Sequence, residues 1–262
     1  MENNTNEAFV KSENIEGITT IEFFHPQSNS LPSKILAQLA KAIETAGEDA
    51  DCKVVILKSA GEKAFCAGAS FDELIAIKDL EQGKQFFSGF ANVINAARKC
   101  PKFIIGRVQG KAVGGGVGMA SAVDICYAHH SASVKLSELA VGIGPLVVGP
   151  AVERKIGLTA MTHLAIDATE WKSAQWAKEK GLYAEIFETA EKMDEAVDSL
   201  AKKLVKSNPE AMKMIKNAAW ENCAHWDVLL QERAAASGNL VLSDFTKKAI
   251  EKFKANTTIK QS

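Results

Sequence analysis

The sequence predicts an α/β fold with a mostly parallel sheet, followed by a helical region. Short runs of β-branched and aromatic residues alternate with longer helical patterns through the first half of the chain. Parallel strands need crossover connections, and the helical segments between the strands supply them. From about residue 145 the helical pattern dominates, so we expect a helical module at the C-terminal end.

Five segments are predicted to form buried strands, because each is rich in β-branched or aromatic residues. These segments are residues 17–24, 53–59, 103–109, 124–128 and 183–187. Between the first three, helical patterns cover residues 33–48 and 71–99, and the second pattern is interrupted near Gly83.

The C-terminal segments are predicted to be helices with polar residues on most of their surface. An Asn-Pro pair at 208–209 suits the start of one of them. Trp220 and Trp226 interrupt this polarity, which predicts packing against a neighbour such as another subunit. We therefore divide the chain into a core at 1–200 and a helical oligomerisation or lid module at 201–262.

The charge balance argues against two classes of partner. The chain has 31 Lys and Arg against 32 Asp and Glu, so no overall basic field attracts nucleic acid or an anionic membrane surface. The longest uncharged apolar run, residues 139–152, is shorter than the roughly 20 residues of a membrane span and contains Gly and Pro. We therefore expect a small ligand, with no nucleic-acid or membrane partner.

Three further features bear on location and on metals. The first ten residues carry neither a positively charged nor an apolar segment, so we expect no secretory signal. The five cysteines form an odd set without a Cys-x-x-Cys pair, which is typical of buried, reduced thiols in the cytoplasm. Adjacent His129 and His130 are expected to point apart and have no third ligand at a suitable spacing, so no metal site is predicted.

The most unusual stretch is KAVGGGVGMASAVDICYA at 111–128, which follows a predicted strand and begins a helix. Gly114, Gly115 and Gly116 therefore lie where helix N–H groups lack acceptors and the helix dipole is positive. Such a turn binds oxyanions, although the same glycines also permit tight packing of helix against strand. The spacing fits neither a dinucleotide fingerprint nor a phosphate loop, since Met119 stands where the fingerprint's last glycine would fall.

A second stretch, KSAGEKAFCAGASFDEL at 58–74, also runs from a strand to a helix. Its small residues Ala67, Gly68 and Ala69 stand just before that helix. Two such turns, each with a free N–H group, can hold one oxygen between them. The residues themselves therefore indicate an oxyanion hole.

The blocks GEKAFCAGAS, GKAVGGGVGMASAVDICYA and LSELAVGIGP, in this order, resemble the crotonase superfamily, the enoyl-CoA hydratase and isomerase group. The resemblance covers nearly the whole chain. It implies a spiral of ββα units with a helical C-terminal region, assembled as a homotrimer or a hexamer. It also implies an acyl-coenzyme A thioester as substrate, with coenzyme A as part of that substrate and no separate cofactor.

Carried over residue by residue, the resemblance makes the backbone N–H groups of Ala69 and Gly115 the catalytic oxyanion hole for an enolate-like intermediate. Ala67, Gly68 and Gly114 belong to the same two turns and are the expected substrate-binding residues beside them.

Weaker candidates surround these turns. Lys63, and Lys252 or Lys254 near the C-terminal end, are candidates for contacts to the coenzyme A phosphates, although each also suits a solvated surface. Ser70 stands where the family commonly has Asp, so an interaction that steadies this loop is expected to be altered. Asp124 matches a family position that we interpret as structural.

The sequence departs from hydratases where the reaction is decided. The resemblance implies two glutamates in a hydratase: the first stands at the position of Gly118 here, and the second is retained as Glu138. Family members that move a double bond often use only the second, as a base that takes a proton from one carbon and returns it to another. The larger side chains Leu146, Val147 and Val148 are expected to narrow the acyl pocket.

Glu138 has two interpretations on its own residues. Its apolar setting favours a raised pKa and a role as a general base. An acidic residue after a strand can also simply cap a helix.

Three hypotheses about function remain open. The first is isomerisation of a 3-enoyl-CoA to a 2-enoyl-CoA, with Glu138 as the single catalytic base. The second is a 2-enoyl-CoA hydratase, or an acyl-CoA hydrolase or decarboxylase of the same fold, that recruits another group or a water. The third is a non-catalytic acyl-CoA-binding homologue.

Overall fold

The computed structural model describes residues 7–259, with side chains as far as Lys252. The strands are, in chain order, β1 Phe9–Ile15, β2 Ile18–Phe24, β3 Ser30–Leu31, β4 Val54–Ser59, β5 Ala64–Cys66, β6 Gly68–Ala69, β7 Phe103–Val108, β8 Lys111–Val113, β9 Ile125–His129, β10 Val134–Lys135 and β11 Glu185–Phe187. The helices are α1 Ser33–Glu48, α2 Phe71–Ala76, α3 Leu80–Lys99, α4 Gly115–Ala122, α5 Gly149–Ile166, α6 Ala174–Glu179, α7 Ala190–Val205, α8 Pro209–Trp220, α9 Trp226–Val241 and α10 Asp244–Ile259, with 3-10 turns at Glu138–Val141 and Glu221–Cys223.

A six-stranded sheet in the order β1-β2-β4-β7-β9-β11 forms the main layer. It is parallel except for β1, which forms an antiparallel hairpin with β2. The five predicted strands are β2, β4, β7, β9 and β11, so the prediction of a mostly parallel sheet is confirmed. The prediction missed β1 because most of this strand is exposed and polar.

Short strands repeat after the long ones and turn the chain into a spiral. The strands β5, β8 and β10 form a second, parallel sheet, and β3 pairs with β6. Each long strand, its short strand and the next helix make one ββα unit, as β7, β8 and α4 illustrate. This arrangement confirms the expected ββα spiral. It also places the end of β6 next to the end of β8.

The second predicted helix is two helices. The helix α1 has the predicted bounds, but the pattern at 71–99 is broken between Ala76 and Leu80, where the Asp79 side chain accepts from the Gln82 N–H at 2.8 Å. The predicted break near Gly83 was wrong. Gly83 lies inside α3, where a Cβ would be 2.7 Å from the Gly238 Cα, so this glycine permits two helices to touch.

The helical module packs on its own chain. The helix α9 runs along α3, and Trp226 and Leu230 are buried in the main core. Trp220 is also buried, and its indole N–H donates to the Asp124 carboxylate at 3.2 Å. The expectation that these tryptophans mark packing on another subunit was therefore wrong: they hold the module to its own core.

The apolar run at 139–152 is divided between a 3-10 turn, a loop and the first residues of α5. Within residues 7–259, no helix combines the length and the apolar character that crossing a bilayer requires. The five cysteines are buried and unbridged, as expected for small hydrophobic residues.

Candidate active site

The first turn of the site follows the short strand β6. Leu31 pairs with Ala69 in a parallel ladder, and the Ser70 N–H donates to the Leu31 carbonyl at 3.0 Å. In a parallel ladder, one residue of each pair forms its hydrogen bonds with the two residues that flank its partner. The partner's own N–H then points away from that strand. The Ala69 N–H therefore faces away from β3. Gly68 reaches this turn with a φ of +96°, a conformation that favours glycine.

Ser70, at the position where the resemblance implies an aspartate, steadies the turn. The Ser70 side chain is buried, and its hydroxyl accepts from the Glu73 N–H at 3.3 Å, which caps α2. The Glu73 carboxylate points elsewhere, because its Oε2 accepts from the Ser33 N–H at 2.9 Å and from the Ser33 hydroxyl at 2.6 Å. Glu73 is thus occupied in capping α1.

The second turn joins β8 to α4. Gly114 has a φ of +51°, and its N–H donates to the Lys135 carbonyl at 2.9 Å. Gly115 is the first residue of α4, so its N–H has no acceptor within the helix. The predicted sequence of strand, turn and helix start is confirmed at these glycines.

The two turns adjoin. A Cβ built on Gly68 would lie 3.4 Å from the Val113 carbonyl oxygen and 4.0 Å from the Gly115 nitrogen. The turns that carry the Ala69 and Gly115 N–H groups therefore lie side by side, which an oxyanion hole built from the two groups requires.

Close packing also requires these glycines. A Cβ on Gly116 would lie 2.4 Å from the Cys66 carbonyl oxygen, and one on Gly115 would lie 2.2 Å from Cζ of Phe90. The packing interpretation and the oxyanion interpretation therefore apply to the same stretch. The sequence analysis did not single out Phe90, because nothing but its place on the buried face of α3 signals the contact.

The Glu138 carboxylate lies over the second turn. Its Oε1 is 2.9 Å from the place of a Cβ on Gly114, and its Oε2 is buried and has no hydrogen-bond partner among the described residues. Burial raises the pKa of Glu138 to about 7, and only a contact with its own backbone N–H opposes that rise. A carboxyl group with this pKa exchanges protons readily near neutral pH.

Apolar side chains fill the space beside Gly118, where the resemblance places a hydratase's first glutamate. A Cβ on Gly118 would lie 2.6 Å from Cγ1 of Val148 and 3.6 Å from Cδ1 of Ile94. Val148 and Ile94 are both buried. Of the other two residues expected to narrow the pocket, Val147 is buried and Leu146 is half-buried beside Gly144. The space beside α4 therefore holds a branched hydrocarbon where a second carboxylate would stand.

The remaining candidates divide into residues at the two turns, exposed lysines away from them and one buried thiol. Lys63 and Lys252 are exposed, and the Lys254 side chain lies outside the described residues. Ala67 and Gly68 immediately precede Ala69 at the first turn, and Gly114 lies in the second. Cys66 stands beside the first turn, but burial raises the pKa of its thiol to about 12, so it stays protonated.

The two adjacent histidines do not point apart. The ring centroids of His129 and His130 are 4.2 Å apart, because hydrogen bonds to Ser131 and to the Glu188 carbonyl hold the His129 ring. Within residues 7–259, no three metal-binding side chains form a group that could hold an ion.

Comparison with curated proteins gives hydratases and isomerases acting on related thioesters. The mitochondrial methylglutaconyl-CoA hydratase of Mus musculus is 31% identical over 194 residues, which are 72% of this chain and 61% of the mouse protein. This chain thus matches about three fifths of the length of that relative. A peroxisomal Delta(3,5)-Delta(2,4)-dienoyl-CoA isomerase of Arabidopsis thaliana is 27% identical over 199 residues, which are 70% of each chain.

A solved structure shares the fold. The crystal structure of an enoyl-CoA hydratase from Bacillus halodurans superposes with a TM-score of 0.86 at 20% identity, over 93% of this chain and 99% of that one. Residues 13–256 match the family described as enoyl-CoA hydratase/isomerase. Because that match spans most of the core and of the helical module, the chain belongs to the enoyl-CoA hydratase/isomerase family and has the crotonase fold.

Proposed function

We propose that this protein isomerises a 3-enoyl-CoA thioester to the 2-enoyl-CoA, with Glu138 as the only proton carrier. The proposal rests on a difference between two positions: that of Glu138, which holds a carboxylate, and that of Gly118, where a hydratase's first glutamate is expected. Glu138 is present with an unpartnered, buried oxygen, whereas Val148 occupies the space beside Gly118. An isomerase needs one base, and hydration needs a water to be positioned and activated as well.

The proposed reaction has two proton transfers. The thioester oxygen binds between the N–H groups of Ala69 and Gly115, which makes the C2 proton acidic. Glu138 takes that proton, the electron pair moves into the conjugated system, and negative charge collects on the thioester oxygen. Glu138 then returns the same proton to C4, so the double bond moves from C3–C4 to C2–C3 and nothing else is consumed. The reaction requires no cofactor beyond the coenzyme A of the substrate.

Hydration is the second candidate function, because the mouse and Bacillus proteins described above are named as hydratases. In this chain the surroundings of Gly118 are apolar, and an apolar wall offers a water no hydrogen bonds. Isomerisation therefore has the stronger support from the residues beside α4.

A panel of thioesters tests the proposal. With a 3-enoyl-CoA we expect the absorbance of the conjugated thioester to grow, and with a short 2-enoyl-CoA we expect little loss of that absorbance. Release of free thiol would indicate a hydrolase, and a loss of the acyl carboxylate a decarboxylase. Rapid loss of the 2-enoyl absorbance would contradict the single-base proposal. Binding of the thioesters without any turnover would favour the third hypothesis, a non-catalytic acyl-CoA-binding homologue.

We also propose a cytoplasmic homotrimer or hexamer. Large apolar side chains stay exposed on one chain: Leu158 and Ile166 of α5 are 63% and 70% exposed, and Trp171 is 41% exposed. Large apolar side chains that stay exposed on one chain are candidates for burial against another subunit. Light scattering at micromolar concentration tests the assembly, and a monomer would contradict it.

A further inference from the structure

The first turn of α10 is bonded to the loop that carries Glu138. Thr246 in this turn is fully buried. Its hydroxyl donates to the Gly142 carbonyl at 3.1 Å, and the two residues are 104 positions apart in the chain. The Ser243 hydroxyl lies 3.1 Å from the Thr246 hydroxyl and accepts from the Thr246 N–H at 3.3 Å, which caps α10.

Gly142 closes the 3-10 turn that begins at Glu138. It has a φ of +81°, and its N–H donates to the Leu139 carbonyl at 3.0 Å. The following N–H, of Ile143, donates to the carbonyl of Glu138 itself at 3.0 Å. The contact with α10 is tight, since a Cβ on Gly142 would lie 2.6 Å from the Thr246 hydroxyl oxygen. A short chain of backbone bonds thus joins Thr246 to the backbone of Glu138.

We propose that Thr246 is a positioning residue for the Glu138 carboxylate, acting through the Gly142 carbonyl. The inference rests on the proposed role of Glu138 as the base. The Oε2 of Glu138 has no hydrogen-bond partner among the described residues, so the place of the carboxylate depends on the backbone of its turn. Thr246 holds the far end of that turn from a separate helix, and without its hydroxyl the Gly142 carbonyl loses this donor inside the protein.

Charged neighbours do not supply an alternative anchor. Helices α5 and α10 both pack on the turn, and α4 approaches it through Gly114. The helix α4 carries no titratable side chain. None of the charged residues near the start of α5 and α10 contributes to the shifted pKa of Glu138: Glu153, Arg154, Lys155, Asp244, Lys247 and Lys248. A change in proton affinity after a substitution at Thr246 would therefore report a change in the burial of Glu138.

The test compares two substitutions at one position. Thr246→Val keeps the shape and removes the hydroxyl, whereas Thr246→Ser keeps the hydroxyl. We expect Thr246→Val to lower kcat for the 3-enoyl-CoA about tenfold while KM changes less than about twofold. The acidic limb of its kcat/KM profile should also move to lower pH by about one unit, because a displaced carboxylate gains water. Thr246→Ser should keep the wild-type kcat and the wild-type position of the acidic limb.

Ser243→Ala is the control for loosening of α10: it removes the cap of that helix and the hydrogen bond from the Ser243 hydroxyl to the Thr246 hydroxyl, but keeps the Thr246 hydroxyl that donates to the Gly142 carbonyl. It should lower the melting temperature with kcat and the acidic limb unchanged. If Ser243→Ala reproduces both effects of Thr246→Val, general loosening of α10 explains them and the inference is wrong. It is equally wrong if Thr246→Val keeps the wild-type kcat and limb. Should Thr246→Val not fold, Thr246→Ala removes the same hydroxyl with less bulk and is measured per folded molecule.

Glu138→Gln separates this inference from the proposed function. If Glu138→Gln remains active, the proposed base is wrong and Thr246 has no base to position. If Glu138→Gln is inactive and Thr246→Val behaves as wild type, only the positioning inference fails.

Discussion

Two half-buried carboxylates stand near opposite ends of α4 and differ in what surrounds them. Asp124 follows the C-terminal end: its Oδ2 accepts from the Lys216 ammonium and from the Ile104 N–H, each at 2.8 Å, and its Oδ1 accepts from the Trp220 indole at 3.2 Å. Glu138 lies over the N-terminal end, and its Oε2 accepts from no described group.

The difference separates a structural acid from the proposed base. Asp124 joins β7, α8 and the turn after α4, so its charge is used in holding the helical module to the core. The partnering Lys216 is 1% exposed, and a buried charge is tolerated only when it is paired. Glu138 keeps one oxygen without a partner in an apolar environment, so its protonated and ionised forms differ little in free energy near neutral pH. The lack of partners, rather than burial, is therefore what distinguishes the proposed base from Asp124.

The largest expected effect is on turnover at the unpartnered acid. Glu138→Gln keeps the shape of the side chain and removes its basicity, so we expect kcat to fall by about 10²–10⁴-fold. Steady-state kinetics with a 3-enoyl-CoA measures this change. The control is Glu153→Gln, an exposed glutamate of α5, which should keep the wild-type kcat. Equal rates for the two variants would remove Glu138 from the mechanism.

At the partnered acid we expect the effect on stability instead. Asp124→Ala leaves the buried Lys216 ammonium without its carboxylate, which should lower the free energy of unfolding by about 3–5 kcal/mol. Urea denaturation measures the loss. The activity of the molecules that remain folded should be close to wild type. A loss below about 1 kcal/mol would mean that the pair contributes little to holding α8.

The pH dependence of stability should also differ between the ends of α4, because the pKa of Glu138 is raised from 4.5 to about 7 on folding. The stabilising effect of its neutral form is fully present below pH 4.5 and is lost as pH rises through about 7. At about 1.4 kcal/mol per pH unit, wild type should lose up to about 3 kcal/mol that Glu138→Gln keeps. Denaturation of both proteins from pH 4 to pH 9 tests this; parallel curves would show that Glu138 is not desolvated.

The smallest expected effect is a new, slow hydration activity. Gly118→Glu alone should destabilise the fold, because a Cβ there would lie 2.6 Å from Cγ1 and 2.8 Å from Cβ of Val148. Combined with Val148→Gly, it places a second acid beside the turn, and we expect measurable water addition to a short 2-enoyl-CoA. Gly118→Gln with Val148→Gly is the matched control and should show none. Equal rates in the two double variants would mean that a missing carboxylate is not what limits hydration.

The sequence by itself determined the parts of this protein that depend on neighbouring residues. The runs of β-branched and aromatic residues identified the long strands other than β1, and the apolar spacing identified α1 at its observed bounds. The two small-residue turns at Ala69 and Gly115, and Glu138 after β10, were also evident, because their residue types are unusual over a few positions. The short strands β3, β5, β6, β8 and β10 escaped prediction, since two or three residues show no period.

Only the tertiary structure decided which residues meet across the chain. The contact of Val148 with Gly118, the burial of Trp220 on Asp124 and the bond from Thr246 to Gly142 each join segments that no local pattern relates. A hydroxyl such as that of Thr246 looks the same in the sequence whether it faces water or a carbonyl. The packing of α10 on the 3-10 turn decides between them, because a buried polar group must find its partner wherever the fold brings one.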